Sequence, residues 1–128
     1  MYKLIRIVAL IAIVFLTSCE GSTRKTWQIT NNSSFKVALS VDSLSQELVT
    51  NSIAPGTTET ILVTDTRGGS SHPGPITEWL SFTIQSGYSV LTKDPLNDSN
   101  WSVYSHQTSK VPSEYTHSFQ FYFDDSDF

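Results

Sequence analysis

Ser70 and His72 stand two residues apart in the run Arg67-Gly68-Gly69-Ser70-Ser71-His72-Pro73-Gly74-Pro75. They supply a hydroxyl and an imidazole, the pair that nucleophilic hydrolysis uses. Gly68-Gly69-Ser70 superficially matches a nucleophile elbow, but the closing glycine and the strand-turn-helix context that make such a serine reactive are missing. The segment therefore reads as an irregular loop. His72, His106 and His117 are the chain's three imidazoles and could in principle share a metal ion, yet isolated histidines in a strand-rich chain more often serve as surface or strand-end residues. Asp94, Asp98 and Asp124-Asp125-Ser126-Asp127 offer hard oxygen donors of the kind calcium takes. Neither group has the alternate-position spacing of an EF-hand loop, so residues 94–100 read as a turn and 124–127 as a solvated strand end. Phosphate-loop, dinucleotide, zinc-protease and paired-cysteine motifs do not occur. The expectation is a protein that is not an enzyme and uses no metal or cofactor.

The aromatic residues are the more suggestive set. Trp79 falls out of phase with Leu80, Phe82 and Ile84, Tyr104 out of phase with Trp101 and Val103, and Tyr122 out of phase with Phe119, Phe121 and Phe123. If their strands are neighbours, Trp79, Tyr104 and Tyr122 form an exposed platform suited to a sugar ring or a protein partner. If both faces of those strands are covered, the same residues are ordinary packing.

Positioning these side chains falls to short strands. Residues 35–42 have period two, with Phe35, Val37, Leu39 and Val41 on one face and Lys36, Ser40 and Asp42 on the other. Further strands are expected at residues 27–29, 59–64, 79–85, 88–92, 101–107 and 115–123, separated by turn signals such as Asn31-Asn32-Ser33-Ser34, Pro55-Gly56 and Gly87. No amphipathic helix is apparent. The pattern predicts an all-β fold, an antiparallel β-sandwich of the immunoglobulin-like or transthyretin-like kind, with a small barrel as the competing architecture. The disulfide that marks true immunoglobulin domains is absent, because Cys19 is the only cysteine.

Cys19 follows an N-terminal segment of distinct character. Residues 1–6 carry Lys3 and Arg6, and the ten residues from Ile7 to Leu16 have no polar side chain. These are the charged and apolar regions of a secretory signal. The apolar run falls short of the roughly 17 to 25 residues of a membrane span, and Thr17 and Ser18 end it. Leu16-Thr17-Ser18-Cys19 resembles the lipobox of bacterial lipoproteins. The resemblance implies that residues 1–18 are removed as a signal peptide, and that the Cys19 sulfur is the nucleophile that takes a diacylglycerol. Two or more acyl chains, at about 0.8 kcal/mol per buried methylene, hold a protein on a bilayer where one does not. Residues 19–26 then read as lipidated N-terminus and polar tether, and 27–128 as a single domain.

Signal, lipobox, tether and a small Ser/Thr-rich β-domain together resemble the small cell-envelope lipoproteins of Gram-negative bacteria, of the Bacteroidetes kind. That likeness implies an outer-membrane lipid anchor facing periplasm or exterior, since Glu20 stands where enteric lipoproteins carry an inner-membrane retention aspartate. Without residues 1–18 the chain has six basic against twelve acidic side chains, a formal charge of −6, which argues against phosphate-backbone binding and nucleic acid. The expected role is non-catalytic binding or assembly with another envelope protein. Glycan capture through the exposed aromatics is the alternative.

Overall fold

The computed structural model describes residues 20–43, 46–74 and 79–128. Among the described residues there are eight strands: β1 Ser22–Asn31, β2 Val37–Ser43, β3 Gln46–Ile53, β4 Thr58–Arg67, β5 Trp79–Ser86, β6 Ser89–Val90, β7 Trp101–Lys110 and β8 Ser113–Phe123. They make two four-stranded sheets, in the orders β4-β1-β8-β7 and β3-β2-β5-β6. The two sheets face each other as the expected all-β sandwich. Pairing is antiparallel except between β1 and β8, which run parallel from Ser22↔Glu114 to Asn31↔Phe123.

Alternation explains which face each strand buries. Trp27 and Ile29 of β1, Leu62 of β4 and Phe119, Phe121 and Phe123 of β8 point inward from the first sheet, and Val37, Leu39, Val41, Ile53, Phe82 and Ile84 meet them from the second. Trp27 stacks on Phe119 with ring centroids 4.9 Å apart. Trp101 packs 5.2 Å from Phe121, and its indole N–H donates to the Pro95 carbonyl at 2.8 Å. The turn at Pro95 is thereby tied to the core.

Two readings of the sequence need correction. Residues 22–26, expected as tether, are the first half of β1, a strand flanked by β4 on one side and β8 on the other. Thr23 is buried there. Their polar sequence hid the strand because Arg24 and Ser22 face water. Strand β3 was not anticipated, whereas the strand expected at residues 88–92 shrinks to the two residues of β6. Cys19 and the proposed signal segment lie outside the described residues.

Tracing the chain gives the sandwich two ends. The near end holds Ser22, Arg67 and Ser113; the far end holds Asn31, Thr58, Trp101 and Phe123. At the far end Asn31, fully buried, joins the sheets. Its amide donates to the carbonyls of Phe35 (2.9 Å) and Ile53 (3.1 Å), and its oxygen accepts from the Ser33 N–H (2.9 Å) and hydroxyl (2.6 Å). Asn31 and Ser33 are both buried, and polar groups left unpaired in such a place are costly. Asn31→Ala is expected to lower unfolding free energy by about 2–4 kcal/mol in urea titrations. Asn32→Ala, at an exposed neighbour, should change it by less than about 0.5 kcal/mol.

Candidate functional site

The outer face of the first sheet is built from residues that alternate with the core. It presents Thr26, Gln28 and Thr30 from β1, Ser118, Gln120 and Tyr122 from β8, and Ser102 and Tyr104 from β7, in register across the strands. A polar row crosses it: the Tyr122 hydroxyl donates to the Gln120 side-chain oxygen, the Gln120 amide to Gln28 at 3.3 Å, and the Gln28 amide to Thr60 of β4 at 3.4 Å. Thr30 and Thr58 hydroxyls are 2.7 Å apart beside it. Long polar side chains held flat against a sheet in this way leave a level, hydroxyl- and amide-rich surface.

Two of the three aromatics singled out from sequence share that face. Tyr104 is 61% exposed and sits opposite Ser118. Tyr122, half-buried, lies four residues farther along β8, about 13 Å away at strand spacing. Trp79 opens β5 and pairs with Ser43 in the other sheet, so the three do not form one platform.

Strand β7 was expected at residues 101–107; its position at the open edge of a sheet is the feature that sequence reading missed. It is an outer strand of its sheet, eight of its ten residues are exposed, and it carries no charge before Lys110. Val103 is in phase with the core but 40% exposed. The facing sheet ends in the two-residue β6, which is too short to cover it. The opposite edge, β4, carries Glu59, Asp65 and Arg67, with Asp65 held by Arg24 at 2.8 Å. Charges of that kind protect an edge from pairing with another chain.

The candidate catalytic residues fall apart. The exposed Ser70 hydroxyl donates to the His72 carbonyl at 3.1 Å, and the His72 ring accepts from the Gly74 N–H at 3.0 Å. His106 pairs with Thr116, exposed on the outer face, while His117 is fully buried. Among the described residues no three His, Cys, Asp or Glu side chains gather as metal ligands.

His117 instead has a structural task. Its Nε2 lies 2.7 Å from the Ser70 carbonyl, which can only accept, so Nε2 donates there, and Nδ1 shares a hydrogen bond with the Ser105 hydroxyl at 2.8 Å. Buried Thr23 does the same from β1, donating to the Gly68 carbonyl at 2.6 Å and accepting from the Ser70 N–H at 2.9 Å. Together they clamp the base of the 68–74 loop onto the sheet. The signal was present in the sequence, for His117 is in phase with Phe119, Phe121 and Phe123.

The aspartate groups are occupied by backbone. Asp94 accepts from the Leu96 N–H at 2.9 Å, as an Asx turn should. Asp124 caps the 3-10 turn Asp125–Asp127 by accepting from the Ser126 N–H and hydroxyl, and Asp127 accepts from the Asp124 N–H. Asp125 accepts from the Ser34 N–H at 2.6 Å. Hydrogen bonds from the Ser126 hydroxyl and amide hold the Asp124 carboxyl below the usual carboxylate range, outweighing the opposing effect of desolvation.

No family model matches the chain, and neither the curated proteins nor the solved structures contain a significant match. The reading of function rests on the residues themselves.

His117→Ala should lower stability by about 2–4 kcal/mol through the cavity and the two lost hydrogen bonds, and should speed amide exchange in loop 68–74. Ser70→Ala should stay within about 0.5 kcal/mol of the parent. Because the folded Asp124 value is depressed, its contribution is present above the unfolded carboxylate range and is lost as pH falls through the folded value. Amide exchange at Ser126 should therefore rise in acid below about pH 4, and Asp124→Asn should flatten that response.

Proposed function

We propose that the chain is a lipid-anchored protein of the bacterial cell envelope, whose β-sandwich works by non-catalytic binding or assembly with another envelope protein. The anchor is assigned to Cys19 on the strength of Leu16-Thr17-Ser18-Cys19 and the charged and apolar segments before it. The binding role is carried by β7, a ten-residue edge strand without charge before its last residue. An unprotected edge offers a row of backbone donors and acceptors to an incoming strand, and alternate side chains such as Val103 supply selectivity. Tethering both partners to one membrane raises their effective concentration, so the contact need not be tight.

A second reading, glycan capture, is favoured by one observation: Tyr104 and Tyr122 border the level Gln28–Gln120 row on the outer face of the first sheet. Tyrosine faces suit sugar rings and amides suit their hydroxyls. Under this reading Tyr104→Ala reduces retention on a polysaccharide column severalfold, and equal retention rejects it.

For the leading reading, Cys19→Ala abolishes incorporation of labelled fatty acid in growing cells. A photoreactive residue at Val103 of the lipidated protein yields a discrete adduct with an envelope protein, and one at Tyr88 does not. Unchanged lipid labelling removes the anchor; absence of any adduct at Val103 removes the β7 partner.

A further inference from the structure

The structure leaves almost no chain between the lipid site and the fold. Only Glu20 and Gly21 separate Cys19 from Ser22, the first residue of β1. Gly21 is itself fixed: its carbonyl accepts from the Gly68 N–H at 2.7 Å, and a Cβ at this position would stand 1.6 Å from the Ser113 carbonyl oxygen. Two residue steps then place the Cys19 Cα within about 7 Å of a residue held in the fold. The chain leaves the sandwich at its near end, against the first residue of β8.

That end carries an apolar projection. Val111, in the turn between β7 and β8, is 83% exposed, the most exposed aliphatic side chain among the described residues. In a cytosolic protein one exposed valine calls for no explanation. Here it lies in the turn that leads into Ser113, the residue against which the lipid-bearing segment packs.

Resting on the lipid-anchor reading above, we propose that the near end of the sandwich lies directly on the bilayer, with Val111 set into the lipid interface and the strands rising away from the membrane. A linker of several residues would let the domain tumble, whereas this anchor sets which end faces lipid. Charge is not the cause. Arg67 and Lys110 at this end are offset by Glu20 and Glu114, and Asp42 and Glu47 stand at the same end of the second sheet. The far end, with Asp94, Asp98, Asp124, Asp125 and Asp127, points to the aqueous phase. The contact is therefore expected to persist in salt and on zwitterionic lipid.

The test uses the full lipidated chain on phosphatidylethanolamine vesicles, with a polarity-sensitive nitrobenzoxadiazole label on Val111→Cys or, at the far end, on Tyr88→Cys. Both positions are exposed, so neither label should disturb folding. The expected result is blue-shifted emission at position 111 and severalfold slower reduction by aqueous dithionite than at position 88, in low and high salt alike. A Gly/Ser insertion between Glu20 and Gly21 should erase that difference. Equal reduction rates at the two positions, in protein that floats with the vesicles, overturn the inference and leave the anchor intact. Protein that carries no acyl chain and does not float overturns the anchor reading, and the inference with it.

Discussion

The parallel pairing of β1 with β8 is the constraint around which the other elements are arranged. It puts the first described strand inside a sheet, with β4 on its other side, so that β1 has no free edge. Trp27 and Phe119 face the core from paired positions, as do Ile29 and Phe121, and these aromatic and aliphatic pairs supply the floor on which the second sheet rests. Apolar burial is proportional to the area withdrawn from water, and most of the largest buried side chains belong to these two strands. Even the loop clamp depends on the pairing, since Thr23 and His117 come from β1 and β8.

Much of this was legible. Period-two segments at residues 35–42 and 115–123 became β2 and β8 with the expected inward faces, and residues 93–100 formed the expected Asx-rich loop. What failed did so for physical reasons. Residues 22–26 carry no large apolar side chain, because β1 buries a threonine where another strand would bury a valine. Strand β3 follows from its pairing with β2 and not from a strong pattern of its own. Trp79, Tyr104 and Tyr122 were chosen by phase, which reports the face of a strand but not the sheet to which the strand belongs.

The candidate sites were less legible than the fold. Chemistry suggested by residue type, a serine near a histidine or a run of aspartates, resolved into loop and turn hydrogen bonds that hold backbone. The edge of β7 could not be seen at all from sequence, since whether a strand is outermost is a property of topology. Its exposure arises from two separated causes, its place beyond β8 and the brevity of β6 across from it.

The adjacency of β1 and β8 also bears on when the protein can fold. Ten residues near the beginning find their parallel partner only in residues 113–123, close to the end of the sequence. Non-local pairing of this kind must await closure of a long loop. A chain still emerging from a ribosome therefore lacks the strand that completes this sheet until residues 113–123 have been made. It can form the β2–β3 hairpin early, but β1 keeps one side unpaired until β8 has arrived. The second sheet, whose strands all precede residue 91, can close before the first.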